Sequence, residues 1–578
     1  MSLAQLAVLF GLAGSAAATA IYNPQSQQCR NIPGDPGWPS TSDWAKLNQT
    51  VNGHLISSVP LASVCHDAPF NNYDAGQCND LQSHWNETTL HHINSPAEFL
   101  SMYFNNYTCD AFTPRDRPCE LGNFPSYVIN VTGPADVQAG VRFAREHNIR
   151  LIVKNTGHDY LGKSSGHGSL SLWTHNLKST QFLGNYTSPQ YSGPAMKSGA
   201  GVEGFDYYQA VDRSGHRAVG GSCPTVGVAG GYTQGGGHSM LSSMYGMGAD
   251  NVLEWEVVTL DGRHLVATPE QHSDLYWAMS GGGGGTYAVA ISMTSRIFAD
   301  SIVGGASLTF NDSVVGNEVF WEAITQLHVL LGPFVDEGNS LIYTLAEKQF
   351  SSWAWTMPGA DEERVEELMQ PFLADLEHRG IPYEFTPRVA PGFYDHYNHY
   401  IGPLPEGFAG YTPFTGSRII PRHLMTDPER GADVTAVLRN ITMTEGYPFL
   451  PCQALNVKNQ KHPKNAVLPA WRDAMAICLM SGTWDPRASP EEMAERQDVA
   501  ANVVQPMIDE ATPGGGVYLN EANYLQHDWQ REFYGDNYER LVEVKRRWDP
   551  DHLLWGYTTV DSERWYQDSE ARLCRTDA

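Results

Sequence analysis

The chain has 578 residues, and its 64 acidic and 37 basic side chains give a formal net charge of −27 at pH 7. This length allows about two or three hydrophobic cores. The strong negative charge argues against a nucleic-acid partner, because the phosphate backbone would be repelled rather than neutralised.

The first twenty residues are predicted to be a secretory signal peptide. Leu3 to Ala20 is apolar and ends in small residues, which indicates cleavage after Ala20. The segment before it lacks Lys and Arg, so a membrane anchor is the alternative interpretation. No other apolar run is long enough to span a bilayer. Seven Asn-x-Ser/Thr sequons also favour secretion and predict N-glycosylation. They lie at Asn48, Asn86, Asn106, Asn130, Asn185, Asn311 and Asn440.

Residues 21–120 form a predicted disulfide-rich N-terminal segment. Nine cysteines in an oxidising compartment leave one unpaired, and we predict that it is Cys223. The alternative for Cys223 is an ordinary buried thiol. Five cysteines lie between residues 29 and 119, so at least one bridge should span the chain. Cys109 with Cys119 is the preferred local pair, while the other pairings stay open.

Two strands flanking a helix are predicted from residue 127 onward. A β-branched run at 127–131 precedes an amphipathic helix over 134–148, and a second strand follows at 151–154. This strand leads into Asn155-Thr-Gly-His-Asp and a segment with four glycines between Gly157 and Gly168. Such backbone can line a diphosphate, although a plain surface loop is the alternative. No G-x-G-x-x-G motif opens a helix here, which disfavours a Rossmann-type site.

A second glycine-rich segment runs from Cys223 to Asn251. Residues without a Cβ let the backbone lie close to a flat ring system. A strand over 252–260 and an Asp261-Gly262 hairpin turn are predicted to follow it. Gly281 to Gly285 are five consecutive glycines, which indicate either a second ring-contacting loop or a flexible linker.

The region from residue 301 to 510 reads as an α+β domain. Helices are predicted over 317–331 and 361–379, and strands over 341–345 and 353–357. Candidate substrate-lining segments are 393–400 and 408–420, with the polar residues His396, His399 and Arg418. Taken singly, each of these residues is more often structural than catalytic.

Several motifs together resemble the berberine-bridge-enzyme-like branch of the vanillyl-alcohol-oxidase superfamily. They are Asn155-Thr-Gly-His-Asp, Gly221 to Gly231, Leu170 to Leu177, Ala249-Asp-Asn-Val, Tyr518 to Asn523, and Phe533 to Leu541. The resemblance implies an α+β fold with a two-subdomain FAD-binding domain and a substrate domain whose antiparallel sheet is covered by helices. It places the FAD-binding domain at 121–300, the substrate domain at 301–510 and a returning C-terminal segment at 511–578.

The resemblance also implies bicovalent FAD, bonded at its 8α carbon to His158 and at C6 to Cys223. Asp159 or a nearby carbonyl would hold the second ring nitrogen of His158. No metal site is predicted. The other implied cofactor contacts are Asn155, Thr156, Gly157, Asp159, Tyr160, Ser164, Ser165, His175, Gly227, Val228, Gly231, Gly236, Gly237, His238, Gly248, Asn251, Val252, Val258, Asn520 and Asn537.

The catalytic base is less well defined by the resemblance. Plant relatives have a histidine where this chain has Tyr232-Thr-Gln234, and their roof-sheet glutamate has no clear counterpart. We predict Glu521 as the base, with Tyr518 as the alternative. The other interpretation of Glu521 is a carboxylate at the start of a helix.

Three functions are consistent with the resemblance and with the predicted site residues. The first is a secreted, monomeric oxidase that transfers a hydride from an alcohol to FAD and then reacts with O2 to give H2O2. The motifs at 416–420 and 465–472 favour it. The second is a tailoring oxidase of secondary metabolites. The third is a flavin-binding protein that has lost turnover. The expected partners are a small organic substrate and O2.

Overall fold

The computed structural model describes residues 29–85, 87, 93–104, 109–407, 414–458 and 463–576. The predicted signal peptide and the sequons at Asn86 and Asn106 lie outside these residues, as does part of the predicted lining segment 408–420.

The N-terminal part is built around a four-stranded sheet. Its elements are α1 (Thr41–Thr50), β1 (Leu55–Ser57), α2 (Ala75–Ser83), β2 (Tyr127–Asn130), α3 (Pro134–Glu146), β3 (Arg150–Lys154) and β4 (Ser169–Trp173). The strand order is β1-β2-β4-β3, with β4 parallel to both of its neighbours. The predicted strand, helix and strand are confirmed. β4 lies between the two strands, and the end of β3 delivers residues 155–159 to one edge of the sheet.

A five-stranded antiparallel sheet follows in the order β5-β6-β10-β8-β9. The elements of this region are β5 (Thr180–Thr187), β6 (Ser192–Gly199), α4 (Gly204–Asp212), β7 (His216–Arg217), α5 (Ser242–Tyr245), β8 (Val252–Thr259), β9 (His264–Ala267), α6 (Ser273–Met279), β10 (Ala288–Arg296) and β11 (Phe298–Ala299). The predicted Asp261-Gly262 turn is confirmed. Gly262 has φ +88°, which favours glycine, and its N–H donates to the Thr259 carbonyl.

The third region is a seven-stranded antiparallel sheet in the order β15-β12-β14-β13-β17-β18-β16. Its elements are β12 (Val303–Asn311), α7 (Asn317–Asp336), β13 (Ser340–Ala346), β14 (Gln349–Pro358), α8 (Glu362–Arg379), β15 (Tyr383–Ala390), α9 (Phe393–Ile401), β16 (Phe414–Pro421), α10 (Arg422–Met425), α11 (Pro428–Thr442), β17 (Phe449–Ala454), β18 (Ala474–Ser481), α12 (Pro490–Val499) and α13 (Gln505–Ala511). Helices α7, α8 and α11 share one hydrophobic core with this sheet. The opposite face of the sheet contributes to the cavity described below.

The C-terminal residues return to the five-stranded sheet. Their elements are α14 (Trp529–Tyr534), α15 (Tyr538–Trp548), β19 (Trp565–Gln567) and β20 (Leu573–Arg575). Leu541 and Trp548 of α15 pack in one core with Leu275 of α6 and Trp255 of β8. The tail is therefore part of the same folded unit as the glycine-rich segments.

Four disulfides connect the chain. They join Cys29 to Cys574, Cys65 to Cys78, Cys109 to Cys119, and Cys452 to Cys478. Cys223 is a free thiol. The predictions of a bridge across the chain, of the local pair 109–119 and of an unpaired Cys223 are confirmed. Within the described ranges, the structure has no helix that is both long and apolar enough to cross a membrane.

Candidate active site

A cavity of about 400 Å³ lies where the glycine-rich segments, the seven-stranded sheet and the C-terminal tail meet. The first segment contributes residues 155–160, and the second contributes residues around Cys223 and Gly230. The tail contributes Tyr518, Asn520 and Glu521. Parts of the sequence that are hundreds of residues apart thus form one site.

His158 and Cys223, the two predicted attachment residues, both line this cavity. Nε2 of His158 lies 2.8 Å from Oγ1 of Thr225, and Sγ of Cys223 lies 3.5 Å from the same oxygen. Burial, together with the charge of Lys154, lowers the pKa of His158 to about 4. Burial raises the pKa of the Cys223 thiol. His158 is therefore a neutral imidazole at neutral pH, and so keeps a nucleophilic nitrogen.

The prediction that Asp159 or a nearby carbonyl holds a ring nitrogen of His158 is wrong, because the hydrogen-bond partner of the ring is the Thr225 hydroxyl. The two carboxylate oxygens of Asp159 accept hydrogen bonds from the backbone N–H groups of Leu161 (3.0 Å) and Ser164 (2.9 Å). Asp159 thus closes the turn that follows His158. The hydroxyl of Thr225 takes the orienting position instead, because the second glycine-rich segment folds over the first.

The cavity has features that fit a flat, polar ring system. Asn155 Oδ1 and Ser222 Oγ are buried and have no hydrogen-bond partner within the described residues. Gly227 lies so close to Asn155 that a Cβ would come within 2.1 Å of Oδ1. Gly284 and Gly285 add side-chain-free backbone to the wall. Backbone N–H groups of Gly281 and Gly283 donate to the Gln234 carbonyl, so this loop is held in place and does not act as a linker.

Substituting Gly227 with alanine should reduce the flavin content of the purified protein several-fold. The new methyl group would displace Asn155, which borders the cavity and whose amide donates to the Ala200 carbonyl. The ratio of flavin absorbance to protein absorbance measures this. Gly133→Ala is the matched control, since a Cβ there meets no atom within 4 Å. Equal flavin content in both variants would contradict the prediction.

Glu521 and His238 form an acid–base pair on the cavity wall. Nε2 of His238 lies 3.1 Å and 3.3 Å from the two Glu521 oxygens, and Nδ1 lies 2.5 Å from Gln453 Oε1. The Gln453 amide donates to the Ser239 carbonyl at 2.7 Å, which fixes Oε1 toward the histidine. Burial lowers the pKa of His238, but the charge of Glu521 and these hydrogen bonds outweigh burial and raise it above 6.5.

The hydroxyl of Tyr518 is held mainly as an acceptor. It accepts from the Gly237 N–H at 3.1 Å and from the Asn520 amide at 2.8 Å. Burial and the negative charge of Glu521 raise the pKa of Tyr518 far above its usual value. Tyr518 therefore stays protonated, which makes it a weaker candidate for the base than Glu521.

The wall contributed by the seven-stranded sheet is largely apolar. Its side chains are Ile342, Trp353, Phe449, Pro451 and Leu479. On this wall Gln453 is the residue with a polar side chain that can hydrogen-bond, and it lies beside His238. A substrate that contacts this wall would meet a mainly apolar surface.

The predicted substrate-lining residues His396, His399 and Arg418 do not line the cavity, so that prediction is wrong for them. His396 is a fully buried residue of α9, with Nε2 3.1 Å from Thr356 Oγ1. Arg418 is buried and donates to Glu532 at 2.7 Å. Both side chains therefore contact structural partners instead of the cavity.

Sequence reasoning also missed several residues of the site. Ile342, Trp353 and Gln453 lie on strands β13, β14 and β17, and the alternation of those strands could have placed them on one face. Lys163 also lines the cavity, and burial lowers its pKa. No sequence pattern marked Thr225 as a residue of the site, apart from its position two residues after Cys223.

The structure divides the predicted cofactor residues into two groups. Those that line the cavity are Asn155, Thr156, Gly157, His158, Asp159, Tyr160, Ser164, Cys223, Gly227, Gly231, His238 and Asn520. Those that lie outside its wall are Ser165, His175, Val228, Gly236, Gly237, Gly248, Asn251, Val252, Val258 and Asn537. Among the latter, Val252 and Val258 belong to hydrophobic cores, and Asn537 donates to the carbonyls of Ala466 and Val467.

Two family matches cover the glycine-rich segments and the tail. Residues 125–268 match the family described as FAD binding domain, and residues 517–557 match the family described as berberine and berberine like. Both matches include residues that line the cavity.

Similar proteins match along almost the whole chain. The VAO-type flavoprotein oxidase VAO615 of Thermothelomyces thermophilus is 56% identical over 572 residues, which cover 99% of this chain and 100% of that protein. The bifunctional decalin synthase calF of Penicillium decumbens is 46% identical, covering 98% and 99%.

Solved structures agree with the fold. The crystal structure of the VAO-type flavoprotein MtVAO615 from Myceliophthora thermophila C1 aligns with a TM-score of 0.93 and 58% identity, covering 95% of this chain and 100% of that one. A glucooligosaccharide oxidase from Acremonium strictum, with a TM-score of 0.61 and 17% identity over 76% of this chain and 92% of that one, shares the fold.

The fold and the site therefore define an FAD-dependent oxidoreductase. The chain belongs to the VAO-type flavoprotein oxidases that carry a berberine-bridge-enzyme-like C-terminal region.

Proposed function

We propose that this protein is a secreted oxidase that holds FAD through bonds to both His158 and Cys223 and oxidises an alcohol, with O2 as the final acceptor and H2O2 as the product. The observation that carries the proposal is that two nucleophilic side chains and the Glu521–His238 acid–base pair line one cavity.

Double attachment is supported by the contacts of the two anchor residues. A single hydroxyl contacts both of them, and each borders the cavity whose glycine-rich wall fits a ring system. The glucooligosaccharide oxidase structure is described as having a 6-S-cysteinyl, 8α-N1-histidyl FAD. That protein shares only the fold, so the proposal for this chain rests on the placement of its own histidine and cysteine.

When bound, FAD supplies a two-electron acceptor that O2 can reoxidise. The residues that would hold it are His158, Cys223, Asn155 and the glycine backbone at 227 and 230–231. Asn155 and Ser222 border the cavity that would receive it.

Glu521 and His238 are placed to accept the hydroxyl proton of a substrate. Because the Gln453 oxygen faces Nδ1, that nitrogen carries a proton, and Nε2 faces the Glu521 carboxylate. Nε2 of His238 and the Glu521 carboxylate are both acceptors and lie 3.1 Å apart, so one further proton between them holds the pair together. Loss of that proton as pH rises frees the pair to take up the proton of an alcohol.

The rate of flavin reduction should therefore rise with pH through a pKa above 6.5. Below that value His238 is an imidazolium and the pair is a weaker acceptor, whereas above it the ring is neutral. Anaerobic stopped-flow reduction from about pH 5 to about pH 9 measures this, and in His238→Asn the rise should move or disappear. A wild-type profile that is flat or falls with pH would count against the pair.

The apolar wall favours a substrate of the secondary-metabolite type over an oligosaccharide. Ile342, Trp353 and Phe449 offer few hydrogen bonds to a sugar, and a relative with 46% identity is named a bifunctional decalin synthase. H2O2 release with 2-dodecanol should exceed that with cellobiose at equal concentration. Greater activity with cellobiose would favour an oligosaccharide as the alcohol substrate instead. Slow reaction of the reduced protein with air would instead favour an inactive flavin-binding protein.

Secretion and glycosylation are part of the proposal. Asn185, Asn311 and Asn440 are exposed in the structure, whereas Asn48 and Asn130 are half-buried. Asn48 Oδ1 accepts from the Leu55 N–H, and Asn130 Oδ1 accepts from the Asn176 amide. Glycan mapping of protein from the culture medium should find occupied sites first among the exposed three.

A further inference from the structure

Thr225 occupies a position between the two proposed attachment residues. Its side chain is fully buried, and Oγ1 lies 2.8 Å from His158 Nε2 and 3.5 Å from Cys223 Sγ. A single oxygen thus contacts one atom of each anchor. His158 and Thr225 are 67 residues apart in sequence, so this contact depends on the folding of both glycine-rich segments against each other.

The contact determines which nitrogen of His158 is available. Nε2 is engaged with the hydroxyl, while the structure gives Nδ1 no hydrogen-bond partner among the described residues. The imidazole plane is fixed by the same contact. The neutral ring then presents Nδ1 to the cavity as its nucleophilic atom.

The same hydroxyl is the polar group nearest to the thiol in the described contacts. When Nδ1 holds the lone pair, the Nε2–H of His158 donates to Oγ1 and the hydroxyl proton points to Sγ of Cys223, so both contacts are hydrogen bonds at once. The surrounding loop is fixed as well, because the Tyr397 hydroxyl donates to the Ser222 carbonyl at 2.8 Å and the Val226 N–H donates to the Cys223 carbonyl. Cys223 is thereby held in the orientation that reaches the cavity.

We infer that Thr225 is a positioning residue shared by both attachment reactions: its hydroxyl accepts a hydrogen bond from Nε2–H of His158, which leaves Nδ1 as the bonding nitrogen, and donates to the Cys223 sulfur, which holds it in place and favours its thiolate form. This inference rests on the proposed double attachment. Each attachment breaks one N–H or S–H bond of the protein and one C–H bond of the ring system and forms one N–C or S–C bond. The two hydrogens and two electrons released pass to O2 as H2O2, so each reaction is balanced.

The test compares Thr225→Val, which keeps the shape but removes the hydroxyl, with Thr225→Ser, which keeps the hydroxyl. Thr233→Val is the matched control, because Thr233 is buried in the same segment and its hydroxyl donates to the Val228 carbonyl at 2.6 Å, away from both anchors. Protein purified from the secreting host is digested, and mass spectrometry gives the fraction of peptide that carries flavin on both residues. We expect that fraction to fall about tenfold in Thr225→Val and to stay near the wild-type value in the other two.

Variants that keep only one of the two attachment residues keep the test decisive if Thr225→Val folds poorly. In Cys223→Ala only histidine can bond, and in His158→Ala only cysteine can. Adding Thr225→Ser to either background should leave its single attachment intact, while adding Thr225→Val should lower both. A decrease in only one of the backgrounds, or wild-type double attachment in Thr225→Val, would overturn the shared role. Wild-type protein without any covalent flavin would instead refute the proposed double attachment itself.

Discussion

Replacing Glu521 with glutamine should slow flavin reduction by an alcohol by about 10²–10⁴-fold while flavin stays bound. The change keeps the size of the side chain but removes the carboxylate that faces His238 Nε2 at 3.1 Å. The substrate hydroxyl would then lose its proton acceptor. Anaerobic stopped-flow spectroscopy under saturating substrate measures the reduction rate directly, and the visible spectrum reports flavin content in the same sample.

The control for this experiment is Glu563→Gln. Glu563 accepts a hydrogen bond from the Tyr538 hydroxyl at 2.8 Å and does not line the cavity. Its reduction rate should match the wild type. If Glu521→Gln also reduces at the wild-type rate, Glu521 has no part in the proton transfer and Tyr518 becomes the residue to test.

Replacing Lys545 with methionine should lower the free energy of unfolding by about 3–5 kcal/mol. The Lys545 ammonium is 1% exposed and donates to Asp549 Oδ2 at 2.6 Å and to the carbonyls of Thr286 and Leu554, each at 2.8 Å. The variant leaves the buried carboxylate of Asp549 without its counter-charge. It also breaks the contact between the C-terminal tail and Thr286, which directly follows the five glycines.

Arg547→Met on the same helix is the matched control. Arg547 is 71% exposed and pairs with Asp274 at 3.1 Å, so its loss should cost at most about 1 kcal/mol. Urea unfolding followed by tryptophan fluorescence compares the two variants. If the two variants unfold with the same urea midpoint and the same slope, the buried ion pair contributes no more to the free energy of unfolding than the surface ion pair does.

Local patterns were sufficient for much of the fold. The alternation over 252–260 and the Asp-Gly turn placed β8 and its hairpin, and the helix over 361–379 was predicted within one residue at its start. Helix α7 continues to Asp336, beyond the predicted end at residue 331. Pro333 lies inside it, and the buried side chains Phe334 and Val335 extend the apolar face through that proline.

The site was only partly predictable, because its contacts join distant segments. His158, Cys223 and Glu521 stood out by their motifs, and the structure brings all three to one cavity. Gln453 lies 215 residues from the histidine that it orients, and no local pattern marks that contact. Arg418 and His396 looked like pocket residues because polar groups among aromatics suggest function. In the structure they contact Glu532 and Thr356 and do not border the cavity.

The most direct test of the proposed cofactor attachment is the visible spectrum of the purified protein before and after acid precipitation, repeated on His158→Ala, Cys223→Ala and the double variant. If both residues bond the flavin, yellow colour stays in the precipitate of the wild type and of each single variant and passes to the supernatant only when both anchors are removed. Colour released from the wild-type protein by acid would contradict the covalent attachment on which the proposal depends.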